Sequence, residues 1–140
     1  MTRAAKTLAA AALAAAAACG PSKGPSQETR TETMTTSRQF AVLYSQWQKH
    51  MDDPRLAISS RPSDMIDCEP YRKIIALGEP ALPLVIAKMR EGDASGWKEG
   101  QFFLWHAARR ISGVDLPDDP GQQEMARRYI RWYDESDRRR

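Results

Sequence analysis

The side chains that could do chemistry are few and scattered. Cys68, His50 and His106 are the ones that a nucleophilic or metal-assisted mechanism would draw on, with Ser59, Ser60 and Ser112 as further hydroxyl candidates. Cys68 stands before Glu69-Pro70, where a helix is expected to begin. A helix N-terminus lowers a thiol's pKa and raises its nucleophilicity. A Cys–His pair would complete that chemistry, yet nothing in the spacing brings either histidine to Cys68. The plainer reading is a half-buried, redox-quiet thiol at a helix cap. His50 closes the first expected helix, where a cation suits the helix dipole. His106 sits between Trp105 and Ala107, and both histidines read as structural or surface residues. Asp115, Asp118 and Asp119 form an acidic run, but calcium loops place oxygen ligands at alternating positions with a closing Glu. Pro117 and Pro120 interrupt this run, so it reads as a turn before the last helix. Zinc sites need several Cys or His at short spacing. No metal, no cofactor and no enzymatic activity are expected.

Binding is the remaining kind of chemistry, and the four tryptophans are its natural carriers. Trp47 and Trp132 fall on expected core stripes. Trp97 follows a Gly/Ser turn, where it would either pack over the end of a bundle or face a partner. Trp105 lies off the cleanest inner line of its helix, beside Arg109. A partly exposed Trp flanked by Arg is a typical interface hot spot. Trp105, Arg109 and Trp97 are therefore the expected binding residues. Arg127, Arg128 and Arg131 against Asp134, Glu135 and Asp137 read as a solvated helix face, and Arg138-Arg139-Arg140 as a solvated basic tail.

These residues must be positioned by helices. Phe40, Leu43, Tyr44, Trp47 and Met51 recur at helical spacing, which predicts a first helix over 37–51, ended by Asp53-Pro54. Residues 54–67 read as a loop. A short helix follows, capped by Asp67 or Cys68, with Pro70 in its first turn, Tyr71, Ile74 and Ile75 inward and Gly78 as its stop. The next opens at Glu79-Pro80, carries Leu82, Val85, Ile86 and Met89 inward, and is closed by Gly92 and the polar stretch 93–96. A fourth covers 98–112 with Phe103, Leu104, Ala107, Ala108 and Ile111 inward, stopped by Gly113. The last covers 122–137, with Met125, Tyr129, Trp132 and Tyr133 inward. No segment alternates as a strand would. The expected fold is all-α, of short antiparallel helices with short turns.

The run Ile74-Ile75-Ala76-Leu77-Gly78-Glu79-Pro80-Ala81-Leu82-Pro83-Leu84-Val85 resembles the turn of a HEAT-like repeat, in which a helix ending in Leu-Gly meets one opening as small-apolar-Pro-apolar. Downstream, Ala107-Ala108-Arg109-Arg110-Ile111-Ser112-Gly113 followed by Pro117 resembles a pattern that follows such repeats in uncharacterised bacterial proteins. Ala108 and Ser112 stand where that pattern has Leu and Thr. The resemblance covers about residues 70–133 and implies a left-handed cap at Gly78 and a binding scaffold rather than an active site. Solenoids normally stack at least three units. About two fit here, so a compact bundle is expected.

The N-terminus sets the location. Arg3 and Lys6 precede an apolar run, Leu8 to Ala18, of signal-peptide length. That run is too short and Ala-rich for a transmembrane helix. Ala16-Ala17-Ala18-Cys19-Gly20 resembles the bacterial lipobox, with Ala16 where the pattern usually has Leu. The resemblance implies cleavage before Cys19, a diacylglyceryl thioether on its sulfur and acylation of the new N-terminus. Gly20 is not the aspartate that retains such proteins at the inner membrane, which points to the outer membrane, facing the periplasm. The alternative is an ordinary Ala-x-Ala signal with a chance cysteine, giving an unanchored periplasmic protein. With Cys19 acylated, Cys68 has no partner in the chain and no disulfide framework exists.

Residues 20–36 are Gly, Pro, Ser, Thr and charge, which predicts a disordered tether spanning about 20–25 Å. The expected organisation is 1–18 signal, 19–36 lipidated cysteine and tether, and 37–137 helical domain. Removing Arg3 and Lys6 from the 21 basic residues leaves 19 against 18 acidic ones, a balance of +1 rather than the chain's +3. Nucleic-acid binders show a basic stripe on the folded part, so no nucleic-acid partner is expected. The leading expectation is a membrane-anchored lipoprotein whose helical module binds a protein in the periplasm. A toxin-neutralising or phage-excluding lipoprotein is a specific version. An envelope structural protein binding peptidoglycan or lipid through a groove of Trp, Tyr and Arg is a different class, and an envelope enzyme using Cys68 another.

Overall fold

A computed structural model of the chain describes residues 27–140. The signal, Cys19 and the first part of the tether lie outside the described residues. The chain divides into two compact units, Met1–Glu32 and Thr33–Arg140, and the second holds the core. Its elements are α1 (Gln27–Met51, which begins in the first unit), α2 (Pro62–Ile66), α3 (Glu69–Ala76), α4 (Leu82–Ser95), α5 (Trp105–Ser112) and α6 (Gln122–Arg138). Single 3₁₀ turns at Glu79–Ala81 and Gln101–Leu104 precede α4 and α5. The fold is all-α, with no strand among the described residues.

The first helix is longer than its apolar stripe. Residues 27–36, expected as tether, are helical. The reason is backbone compatibility: after Pro25 no Gly or Pro occurs until Pro54, so nothing stops the helix from running N-terminally past its core contacts. The stripe itself packs as its spacing requires. Phe40, Tyr44 and Trp47 are buried, and Leu43 and Met51 lean against the core. Trp47 meets the Tyr71 ring edge-on at 5.5 Å, and its indole N–H donates to the Met65 carbonyl at 2.8 Å. His50 Nε2 lies 2.9 Å from the Asp64 carbonyl and donates to it. These two bonds hold α2, in the segment expected to be a loop, against α1. Pro62 starts that short helix because its fixed φ suits a first turn and its missing N–H costs nothing there.

At the junction of α3 and α4 the cap differs from the one expected. Leu77, not Gly78, is the α3 cap residue. Gly78 has φ +75° and ψ −158°, an extended conformation open essentially to glycine alone rather than the left-handed helical one. Leu82, Val85, Ile86 and Met89 are all buried. Gly92 does not stop α4. It lies inside the helix, buried, and Trp97 folds back over it: the Trp97 N–H donates to the Gly92 carbonyl at 2.7 Å. A methyl group on Gly92 would stand 2.6 Å from the indole ring. The helix is stopped instead by left-handed Gly96, followed by Trp97 itself at φ +63°.

The continuous helix expected over 98–112 is split into a 3₁₀ turn and α5. Tyr71 supplies the reason. Its hydroxyl donates to the Phe103 carbonyl at 2.7 Å and accepts from the Ala107 N–H at 2.9 Å. Those two backbone groups are the ones that would pair with each other in an unbroken α-helix. A side chain inserted into the ladder breaks the helix at that turn. Leu104, Ala107 and Ala108 are buried, and Gly113 ends α5 in the left-handed conformation.

Helix α6 closes the core with Met125, Ala126 and Tyr129, while Trp132 and Tyr133 are only partly covered. Tyr129 donates to the Val114 carbonyl at 2.7 Å and so ties down the loop after α5. The acidic run in that loop is structural. Asp119 accepts from the Gly121 N–H at 2.8 Å and from Arg128 at 3.1 Å, and Asp115 holds Arg109 at 2.6 Å. Arg127 pairs with Asp93 and Arg90 with Asp134, joining α6 to α4. None of the described helices is long and apolar enough to cross a membrane.

Candidate docking groove

The expected binding residues do not form one surface. Trp105 is 6% exposed and belongs to the core. Its ring stacks on His106 at 3.7 Å and lies parallel to Tyr129 at 6.0 Å, and its N–H donates to Gln122 Oε1 at 2.7 Å. Helix periodicity misplaced it because the stretch 104–108 buries a wider face than one stripe: Leu104, Trp105, Ala107 and Ala108 are all buried where α3, α4 and α6 pack around it. Trp97 is also 6% exposed and packs over the end of α4, with Arg127 5.9 Å above its ring. Neither indole is a contact surface. Arg109 alone of the three remains partly exposed, held by Asp115.

Cys68 is buried at the start of α3, and its side chain makes no cap hydrogen bond. Burial pushes its thiol above the ordinary value, outweighing the Tyr71 N–H and the Arg72 charge that act the other way. The activation that a helix terminus can supply is therefore outweighed by burial. The two histidines have other partners: His50 holds the Asp64 carbonyl, and His106 lies 3.1 Å from Gln122 Oε1. Among the described residues no group of His, Cys, Asp and Glu is arranged to hold a metal ion.

An apolar concavity lies elsewhere, between α1 and α3. It measures about 520 Å³ and is lined by Arg38, Gln39, Val42 and Leu43 from α1 and by Lys73, Ala76 and Leu77 from the other wall. Val42 is 57% exposed, and Met34, two turns earlier on the same helix, is 59% exposed. Met34, Arg38 and Val42 are spaced i, i+4, i+8, a stripe beside the core stripe rather than part of it. The cations stand on the two walls. Lys73 pairs with Glu69 across one turn at 2.8 Å, whereas Arg38 makes no ion pair among the described residues. Hydrocarbon thus lies between two cations, one on each wall.

This groove was legible only in part. Leu43 was expected inward, but Val42 has polar residues three and four positions to either side (Arg38, Gln39, Ser45 and Gln46) and carried no signal by itself. The 34-38-42 spacing was the available clue. A smaller aromatic feature is found on α6. Trp132 borders one concavity with Leu116, Pro117, Arg128 and Arg131, and a narrower one with Leu82, Tyr133 and Arg140.

The class that fold and surface define is an all-α protein with an open apolar groove. No family model, curated protein or solved structure matches the chain.

Proposed function

We propose that this chain is a lipid-anchored helical binding module. It is held on the periplasmic face of the outer membrane through Cys19 and docks a segment of a protein partner in the α1/α3 groove. The anchor rests on the sequence alone: the n-region, the apolar run and the lipobox-like residues ending at Cys19. Two or three acyl chains anchor stably where one does not. The HEAT-like run at 74–85 supports a scaffold role.

The observation that carries the docking is the exposed Met34–Val42 stripe running into a concavity whose far wall is Ala76 and Leu77. Amphipathic helices bind such grooves through anchors at i, i+3, i+4 and i+7. Arg38 and Lys73 select the occupant: an apolar ridge flanked by Asp or Glu. The test is site-specific photo-crosslinking in the envelope from position 42, with Ala41, exposed and off the groove side of α1, as control. A protein trapped from 42 but not 41, through an apolar segment bearing acidic residues, and lost in R38E/K73E, is the expected outcome. No product from 42, or one equally strong from 41, removes the reading.

A second reading has one observation in its favour. Trp132 and Tyr133, bordered by Arg128, Arg131 and Arg140 and by the carboxylates of Glu135 and Asp137, form two adjoining concavities of mixed charge in which a sugar or a lipid head group could stack on the indole. Sedimentation with purified sacculi, lost in W132A, would favour it.

A further inference from the structure

A separate concavity of about 270 Å³ lies where α2, α3 and α5 meet, lined by Ile66, Tyr71, His106, Arg109 and Arg110. The last three are spaced i, i+3, i+4 and project from one face of α5. Three nitrogen-bearing side chains and no carboxylate form its walls. Arg109 and Arg110 line the same concavity, and two like charges facing one space repel unless an anion offsets them. Arg109 has its offset in Asp115 at 2.6 Å and Asp118 at 3.8 Å. Arg110 makes no ion pair among the described residues.

The site is also preorganised. The His106 ring is fixed by its stack on Trp105 and by Gln122. Gln122 Oε1 already accepts from the Trp105 indole, which can only donate, so the amide orientation is set and His106 Nε2 must carry a proton toward it. Arg109 is steered by Asp115. Only Arg110 is free to close on a ligand. Fixed donors avoid the ordering cost that weakens binding at flexible surfaces.

We propose that His106, Arg109 and Arg110 form a binding pocket for a phosphate-class oxyanion. Guanidinium forks match phosphate oxygens two at a time, and two forks together reach more oxygens than the two a carboxylate offers; with its Nε2–H committed to Gln122, His106 adds a donor only by taking up a proton at Nδ1 as the anion binds. The pocket is smaller than the roughly 300–1,000 Å³ typical of drug-sized ligands. It therefore takes the phosphate and a few attached atoms, which Ile66 and the Tyr71 ring would cover. The same chemistry is offered by a free phosphate or phosphomonoester and by a phospholipid head group.

The full chain carrying C19S, which prevents acylation, is titrated with inorganic phosphate, with dihexanoyl phosphatidylglycerol below its micelle concentration, and with acetate. Binding is read by calorimetry and by the His106 ring resonances. Saturable binding that moves those resonances is expected. R110Q weakens it about tenfold, in line with one lost charge-assisted hydrogen bond. R139Q, which removes the same charge from the C-terminal tail, changes it less than about twofold by charge screening alone. Tighter binding of inorganic phosphate identifies a soluble phosphate as the ligand, and tighter binding of the lipid identifies a head group. The proposal is overturned if neither saturates, if R110Q and R139Q behave alike, or if acetate binds as tightly as either.

Discussion

Replacing Tyr71 by Phe tests the account of why α5 is split. Tyr71 is 1% exposed, and its hydroxyl stands between the Phe103 carbonyl and the Ala107 N–H. The ring stays in Y71F, so the hydrophobic term is nearly unchanged. What is lost is one donor and one acceptor, which leaves two backbone groups without partners. Each buried unsatisfied group costs about 1–3 kcal/mol. Relaxation of the turn recovers part of that, so a loss of about 2–4 kcal/mol is expected. For a unit of this size that corresponds to a fall of roughly 10–15 °C in Tm. Urea unfolding followed by circular dichroism gives the free energy, and hydrogen exchange at the Ala107 amide gives the local consequence: faster exchange in the variant. A loss below about 0.5 kcal/mol with the Ala107 amide still protected would refute the reasoning. It would mean that Phe103 and Ala107 pair directly once the hydroxyl is gone, and that something other than Tyr71 divides the helix.

Three further outcomes follow from the packing. G92A gains at most about 1 kcal/mol of helix propensity but drives a methyl into the Trp97 ring, which costs about 1–3 kcal/mol. Net destabilisation and an altered near-ultraviolet dichroism signal are expected, whereas a stabilised variant would contradict the close approach. W105A should cost about 3–5 kcal/mol as a core truncation, measured by denaturant unfolding, and a near-neutral result would return Trp105 to the surface. His106 is held below its ordinary pKa by burial first, and then by the charges of Arg109 and Arg110, against the Gln122 hydrogen bond. The unfolded chain then binds the extra proton more readily. This contribution to stability is complete above about pH 6.5 and is lost as the pH falls toward the depressed folded value. H106Q should flatten the Tm profile between about pH 7 and pH 5, and an unchanged slope would exclude His106 as its source.

Much of the architecture was legible from spacing and punctuation. The α1 stripe from Phe40 to Met51, the buried row from Leu82 to Met89 and the stop at Gly113 are local signals. Apolar residues at helical period must share a face, and glycine at a helix end takes a conformation that other residues resist. The absence of alternating patterns excluded strands for the same reason. The N-terminal run also set the expectation of a lipid anchor, which rests on residues 1–20 alone, while the expectation of mixed charge came from the composition of the rest of the chain.

Tertiary structure decided what no local rule could. Gly92 is a close-packing site rather than a helix stop because Trp97, five residues later, turns back onto it. The division of α5 depends on a hydroxyl 36 residues away in sequence, and Trp105 is buried because α3, α4 and α6 all pack around α5. Cys68 lost the activation of its helix terminus because burial outweighs it. The groove exists only where α1 lies beside α3, and the cationic pocket only where α2 and α3 meet α5. Periodicity reports which face of one helix is apolar, but a site is made by the distance between two helices, and that is a property of the packed chain.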